Sequence, residues 1–115
     1  MQHDPNDLRR ASAIFKTLSH PSRLRIACEL INGRVCTQKE LVEEFGWPQS
    51  TMARHLAMLR DIGLIEATRR GQEITLKLSG PVARELMAAV CQWVHPETGE
   101  AFNTDPSEFE QEQAS

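Results

Sequence analysis

The chain has no apolar run approaching the ~20 residues that a membrane span needs. Its first residues, Met1-Gln2-His3-Asp4-Pro5, lack the basic and apolar regions of a signal peptide. Both absences point to a cytoplasmic protein. Cysteine is scarce: there are three, an odd count, and no two stand in a Cys-x-x-Cys pair. That argues against a secreted disulfide scaffold and against a zinc ribbon. There is no glycine-rich phosphate loop, no nucleophile beside a base, and no pair of carboxylates set for acid–base work. The four histidines are scattered: His3 near the start, His20 before a proline, His55 within a helical stretch and His95 at a helix end. They do not define a common site, and the inventory does not read as an enzyme.

What is present fits one small globular domain. A chain of 115 residues suffices for a single domain, and at this size roughly two thirds of the unfolded surface is buried without help from metal or disulfide. Hydrophobic residues make up 40% and charged residues 25%, as in ordinary soluble proteins. The net charge of −3 hides an asymmetry. Residues 97–115 hold six of the 16 acids and none of the 13 lysines and arginines, which leaves residues 1–96 at +3. The reading is a mildly basic domain over 1–96, compatible with nucleic acid, and an acidic, solvated tail over 97–115. Phe102 and Phe109 are the tail's large apolar groups.

Periodicity divides the body. Leu8, Ala11, Phe15 and Leu18 form one apolar stripe on a helix near 6–17. Pro21 opens a second helix over about 21–31, apolar on most sides and closed by Asn32-Gly33. Thr37-Gln38-Lys39-Glu40 is a capping-box pattern at the head of a short third helix that Gly46 ends. After Trp47-Pro48 a fourth helix runs to about Asp61, with Met52, Leu56 and Leu59 inward. The period then changes to two. Residues 64–68 and 73–78 read as strands joined by a basic turn, Arg69-Arg70-Gly71-Gln72. A last helix covers 81–94, and His95-Pro96 ends it. The fold class is mainly α with one small β-hairpin, in the order ααααββα.

Two short helices joined across Gly46-Trp47-Pro48 make a helix-turn-helix pattern. In that motif the N-terminal residues of the second helix meet base edges in the major groove. Here they are Gln49, Ser50, Thr51, Arg54 and His55, all hydrogen-bonding groups off the core stripe. Gln49 can pair with adenine. Arg54 can pair with guanine or with phosphate alone. Taken by themselves these residues equally describe a plain polar helix face. The hairpin tipped by Arg69 and Arg70 shifts the balance, because helix, helix, turn, helix, strand, basic turn, strand is the order of a winged helix. Arg69 and Arg70 would then rest on backbone phosphates. The competing reading is a winged-helix module used for protein–protein contact without DNA.

Two stretches carry a family resemblance. Leu18-Ser19-His20-Pro21-Ser22-Arg23-Leu24-Arg25-Ile26 resembles the opening of the second helix of the ArsR-type winged helix-turn-helix repressors. Residues 49–65, from Gln49-Ser50-Thr51 to Gly63-Leu64-Ile65, are similar to their recognition helix and first wing strand. The resemblance covers about 8–95. It implies a homodimer through the first and last helices, a palindromic double-stranded DNA operator, and release by an inducer. The apolar surplus on those two helices, Trp93 included, supports the dimer independently. One local departure is Pro48, where the family usually has a serine cap.

The resemblance also frames sensing. Metal sensors of the family use a Cys-x-Cys at the start of the third helix, where this chain has Thr37 and Lys39. A second family metal site uses Asp and His along the last helix, and 81–94 contains neither. Cys91 and His95, four residues apart, remain as a weak metal pair, so no cofactor is expected. Another branch senses sulfide or oxidants through one cysteine on the second helix and one on the last. Cys28 matches the first position, and Cys91 falls about a turn before the second. The plainer alternative is that Cys28 and Cys91 are small buried apolar groups and that no inducer acts on them. Cys36 reads as packing beneath the third helix.

Overall fold

The computed structural model describes residues 4–31 and 35–94. Among these, five helices and a three-stranded antiparallel sheet follow one another as α1 (Pro5–Leu18), α2 (Pro21–Glu29), β1 (Cys36–Thr37), α3 (Gln38–Phe45), α4 (Gln49–Asp61), β2 (Ile65–Arg70), β3 (Glu73–Leu78) and α5 (Pro81–Val94). The sheet order is β1-β3-β2. The predicted winged helix-turn-helix order is present, with one element more. The two-residue β1 pairs Cys36 with Leu76 and Thr37 with Thr75. A strand so short has no period to detect, which is why the sequence alone does not reveal it.

The helix starts follow local chemistry. Asp4 caps α1 by accepting from the Asn6 amide at 2.8 Å, with Pro5 in the first turn. His20 caps α2 through Nδ1, which accepts from the Ser22 amide at 3.2 Å. That bond requires Nδ1 to be unprotonated. At α3 both halves of the capping box form: Thr37 Oγ1 accepts from the Glu40 amide, and Glu40 Oε1 accepts from the Thr37 amide. Gly46, at φ 69°, ends α3 in the left-handed region that a Cβ disfavours. The α1–α2 corner is pinned by Arg23, whose Nε donates to the Thr17 carbonyl at 2.7 Å.

The core lies between the helices and the inner face of the sheet. Ile26, Leu30, Leu41, Met52, Leu59, Leu76 and Met87 are almost fully buried in it. Met52, Leu56 and Leu59 point inward as their spacing predicts. α2 ends at Glu29, two residues before the predicted limit. The Asn32-Gly33 stop lies outside the described residues.

α1 departs from expectation in a useful way. Its predicted stripe splits: Leu18 is buried, while Leu8 and Phe15 are exposed, Phe15 at 68%. Most of the exposed large apolar residues lie on α1 and α5: Leu8, Phe15, Val82, Trp93 and Val94. Ile14 of α1 and Val82 and Leu86 of α5 also help to line an apolar groove of about 390 Å³. No helix among the described residues is long and apolar enough to cross a membrane.

Candidate nucleic-acid interface

α3, the Gly46-Trp47-Pro48 turn and α4 make the helix-turn-helix, and α4 presents one face to solvent. Gln49, Ser50 and Arg54 are exposed on it, and Thr51 is half-buried at its edge. The start of α4 lacks a side-chain cap, since Pro48 has no group to accept an amide. Its first-turn amides therefore have no intrahelical partner and no capping oxygen, which leaves a favourable place for an anion.

His55 does not belong with the base-facing residues predicted from the sequence. It is 3% exposed and turned away from the solvent face of α4. Its ring stands 4.9 Å from that of His20 and 5.7 Å from that of Trp47, centroid to centroid. Trp47 meets Phe45 edge to face at 4.8 Å. The Arg25 guanidinium lies over Phe45, 3.9 Å from the ring centre, and reaches Trp47 at 5.9 Å. This chain of rings and one cation joins the start and middle of α2 to the end of α3, the turn and α4. Aromatic and cation–π contacts of this kind contribute about 0.5–2 kcal/mol each. The sequence signal was available in Phe45 and Trp47 flanking the turn glycine, but nothing local ties them to His20 or Arg25.

The wing also differs in detail. Arg69 and Arg70 are the last residues of β2, and the turn shrinks to Gly71-Gln72, with Gly71 at φ 62°. Tight two-residue hairpin turns demand this conformation at the first position. Arg69 pairs with Ile74 and Arg70 with Glu73. Both arginines are exposed, but adjacent strand residues point to opposite faces.

α2 and α5 bring two cysteines together. Cys28 Sγ and Cys91 Sγ are 3.2 Å apart and share a proton in a hydrogen bond. All three cysteines are free thiols. Cys28 is exposed and Cys91 half-buried, so neither sits in the core, whereas Cys36 is 2% exposed beneath α3. Cys28 as a residue has open surface, but its sulfur is crowded. Burial of the thiol, followed by the hydrogen bond and charge of Cys91 and the charge of Glu29, pushes it up to about 12. His95, the other half of the metal pair, lies outside the described residues, as does the tail over 97–115. Among the described residues no three His, Cys, Asp or Glu side chains are grouped to hold a metal ion.

Comparison with known proteins fixes the family. Residues 18–68 match a helix-turn-helix domain family. A biofilm growth-associated repressor from Xylella fastidiosa is 35% identical over 77 residues, covering 67% of this chain and 67% of the relative. The HTH-type transcriptional regulator YgaV from Escherichia coli is 33% identical over 81 residues, covering 70% and 82%. The chain belongs to the ArsR-type winged helix-turn-helix regulators. The fold of this ArsR-type regulator is shared with HlyU from Vibrio cholerae, at a TM-score of 0.72 and 23% identity over 79% of this chain and 98% of that one. It is thus a DNA-binding transcription regulator.

Proposed function

We propose that this regulator is a homodimeric repressor whose hold on a palindromic operator is released when Cys28 and Cys91 become joined in a disulfide. The observation that carries the proposal is the 3.2 Å approach of the two sulfurs across α2 and α5. Closing to a disulfide needs a movement of only about 1 Å. A peroxide-class oxidant balances the reaction. One thiol sulfur attacks the peroxide O–O bond, giving a sulfenic acid and one water. The second thiol displaces hydroxide from that sulfenic sulfur, which leaves with a proton as a second water. A persulfide donor reaches the same bond by transferring sulfur to one cysteine, which the other then attacks with loss of sulfide.

In this reading Gln49, Ser50 and Arg54 reach base edges, and Thr51 and the open start of α4 take a phosphate. Arg69 and Arg70 supply wing contacts to the backbone. The exposed apolar residues of α1 and α5 support dimerisation through those helices. Two-fold symmetry would then place the two α4 helices about one DNA turn, ~34 Å, apart. α5 takes part both in that interface and in the cysteine pair, so joining it to α2 alters the spacing of the reading helices.

The test is binding of the reduced and the oxidised protein to DNA from upstream of its own gene, with random DNA as competitor. Reversible release on oxidation, lost in Cys28→Ser and Cys91→Ser and kept in Cys36→Ala, is the expected result. Equal binding by both forms removes the thiol switch and leaves the regulator.

A further inference from the structure

One solvent-facing side of α1 has no part in the helix-turn-helix, the wing or the cysteine pair. Leu8, Arg9, Ser12, Ala13 and Lys16 line a shallow groove of about 390 Å³ along it. All five residues are exposed. Leu8 and Ala13 are its apolar members, and Arg9 and Lys16 are its cations. Each successive residue turns by about 100° around a helix, so Arg9, Ala13 and Lys16 lie about 100° or more from Phe15. The groove therefore adjoins the apolar face proposed for dimerisation, with Leu8 on the border, and does not coincide with it.

The charge on this side is uncompensated. Arg10 is held by Asp7 at 2.7 Å, but Arg9 and Lys16 make no side-chain ion pair among the described residues. Apolar groups set beside two such cations fit a segment in which a large apolar side chain stands between two carboxylates. Glu108-Phe109-Glu110, within the acidic stretch 97–115, has that pattern. Exposed ion pairs are weak by themselves, and removal of the aromatic ring from water against Leu8 and Ala13 adds to them. The segment is also within reach. The chain from Val94, the last residue of α5, to Phe109 spans up to about 50 Å when extended. The longest dimension of the molecule is 45 Å.

We propose that this side of α1 is the docking site of the chain's own segment Glu108-Phe109-Glu110. Phe109 lies against Leu8 and Ala13, and the two carboxylates pair with Arg9 and Lys16. The contact is independent of the operator and of the thiol switch, so it is tested on the protein without DNA or oxidant.

The experiment exploits the small number of lysines. There are three, Lys16, Lys39 and Lys77, and all are exposed. A zero-length carbodiimide joins an amine to a carboxylate with loss of one water, and so reads where the acidic segment rests. In the whole chain at low salt, peptide mass spectrometry should find Glu108 or Glu110 joined to Lys16 in preference to Lys39 and Lys77. The product should run as a single chain on a denaturing gel. Phe109→Ser should lower the Lys16 product to the level of the other two. So should about 1 M salt, which shortens the Debye length to about 3 Å. The amide resonances of Arg9, Ala13 and Lys16 should shift between the wild type and Phe109→Ser. Carboxylates spread evenly over the three lysines, or joined chiefly to Lys39 of α3, overturn the docking. A Lys16 product that survives Phe109→Ser, or α1 resonances indifferent to that change, overturns it as well.

Discussion

Joining Cys28 to Cys91 should weaken DNA binding and strengthen the fold at once, and the second effect has a magnitude. The two residues are 63 positions apart, so the bond closes a loop that contains most of the domain. Confining the unfolded chain in a loop of that length removes conformational entropy equivalent to about 4 kcal/mol at 25 °C. Native strain subtracts from this. It is small here because the sulfurs already lie within contact and need about 1 Å of closure. In a domain of this size each kcal/mol moves Tm by about 4–8 °C, so even half of the entropic term gives a rise of about 10 °C. The assay is thermal unfolding by circular dichroism on reduced and oxidised protein. Mass spectrometry confirms the loss of two hydrogen atoms per chain, and a non-reducing gel confirms that the bond is within one chain. Cys36→Ala serves as the background, since the third thiol is then absent. An oxidised protein with the mass of a Cys28–Cys91 disulfide and an unchanged Tm would refute the reasoning. It would mean that the bond forms only by distorting the α2–α5 packing.

Further expectations follow from individual residues. Arg54→Ala should cost about 1–3 kcal/mol of operator affinity, concentrated at one base position, and an equal loss on every sequence would make Arg54 a phosphate ligand instead. His55→Ala should cost about 2–4 kcal/mol of stability in urea unfolding, while Arg54→Ala should cost almost none. Phe15→Glu should leave the melting of the protomer nearly unchanged, because Phe15 is 68% exposed, but shift sedimentation from dimer to monomer and lower operator affinity. The crowded Cys28 thiol should also mark the alkaline limb of stability. Its pKa is raised in the folded state from an ordinary 9.0 to about 12, so its contribution is complete below pH 9 and is lost as pH climbs towards 12. Cys28→Ser should flatten that limb, and an identical alkaline limb in the variant would contradict it.

The order of elements was legible because each boundary carries its own chemistry. The Thr37–Glu40 box, Gly46 and the change from helical to alternating period at Leu64 are local signals, and each fell within a residue or two of the observed boundary. β1 was not legible, because two residues joined to β3 by long-range pairing leave no pattern. The interface was half legible. Helical spacing alone puts His55 near the edge of the core stripe, and its polarity favours the solvent side. The structure turns it inward because His20 and Trp47 make a partly polar, aromatic pocket there. A polar residue at a stripe boundary is decided by what lies across from it, and that information is not local. The wing shows the same limit: a basic tip was evident, but which arginine shares a sheet face with the buried Leu76 and Leu78 depends on register.

The proposed switch requires a movement of about 1 Å between Cys28 and Cys91 to matter at a surface some distance away. A switch shifts an equilibrium only by the difference in its free energy between two states. The disulfide must therefore fit the DNA-free arrangement better than the DNA-bound one. α2 is the element that makes such a difference available. Cys28 lies near its C-terminal end, and Arg25 lies three residues earlier, on a neighbouring part of the helix surface. Arg25 is the cation stacked on Phe45 and Trp47, and Trp47 contacts His55 of α4. A pull between α2 and α5 thus acts at two places. In the proposed switch it loads the ring stack that joins α2 to α4 within one protomer. In the proposed dimer it also moves α5, and with it the spacing of two reading helices that must match one turn of DNA. Neither displacement needs to be large, because close-packed side chains do not absorb strain by compressing and a recognition helix out of phase with its half-site loses its base contacts together.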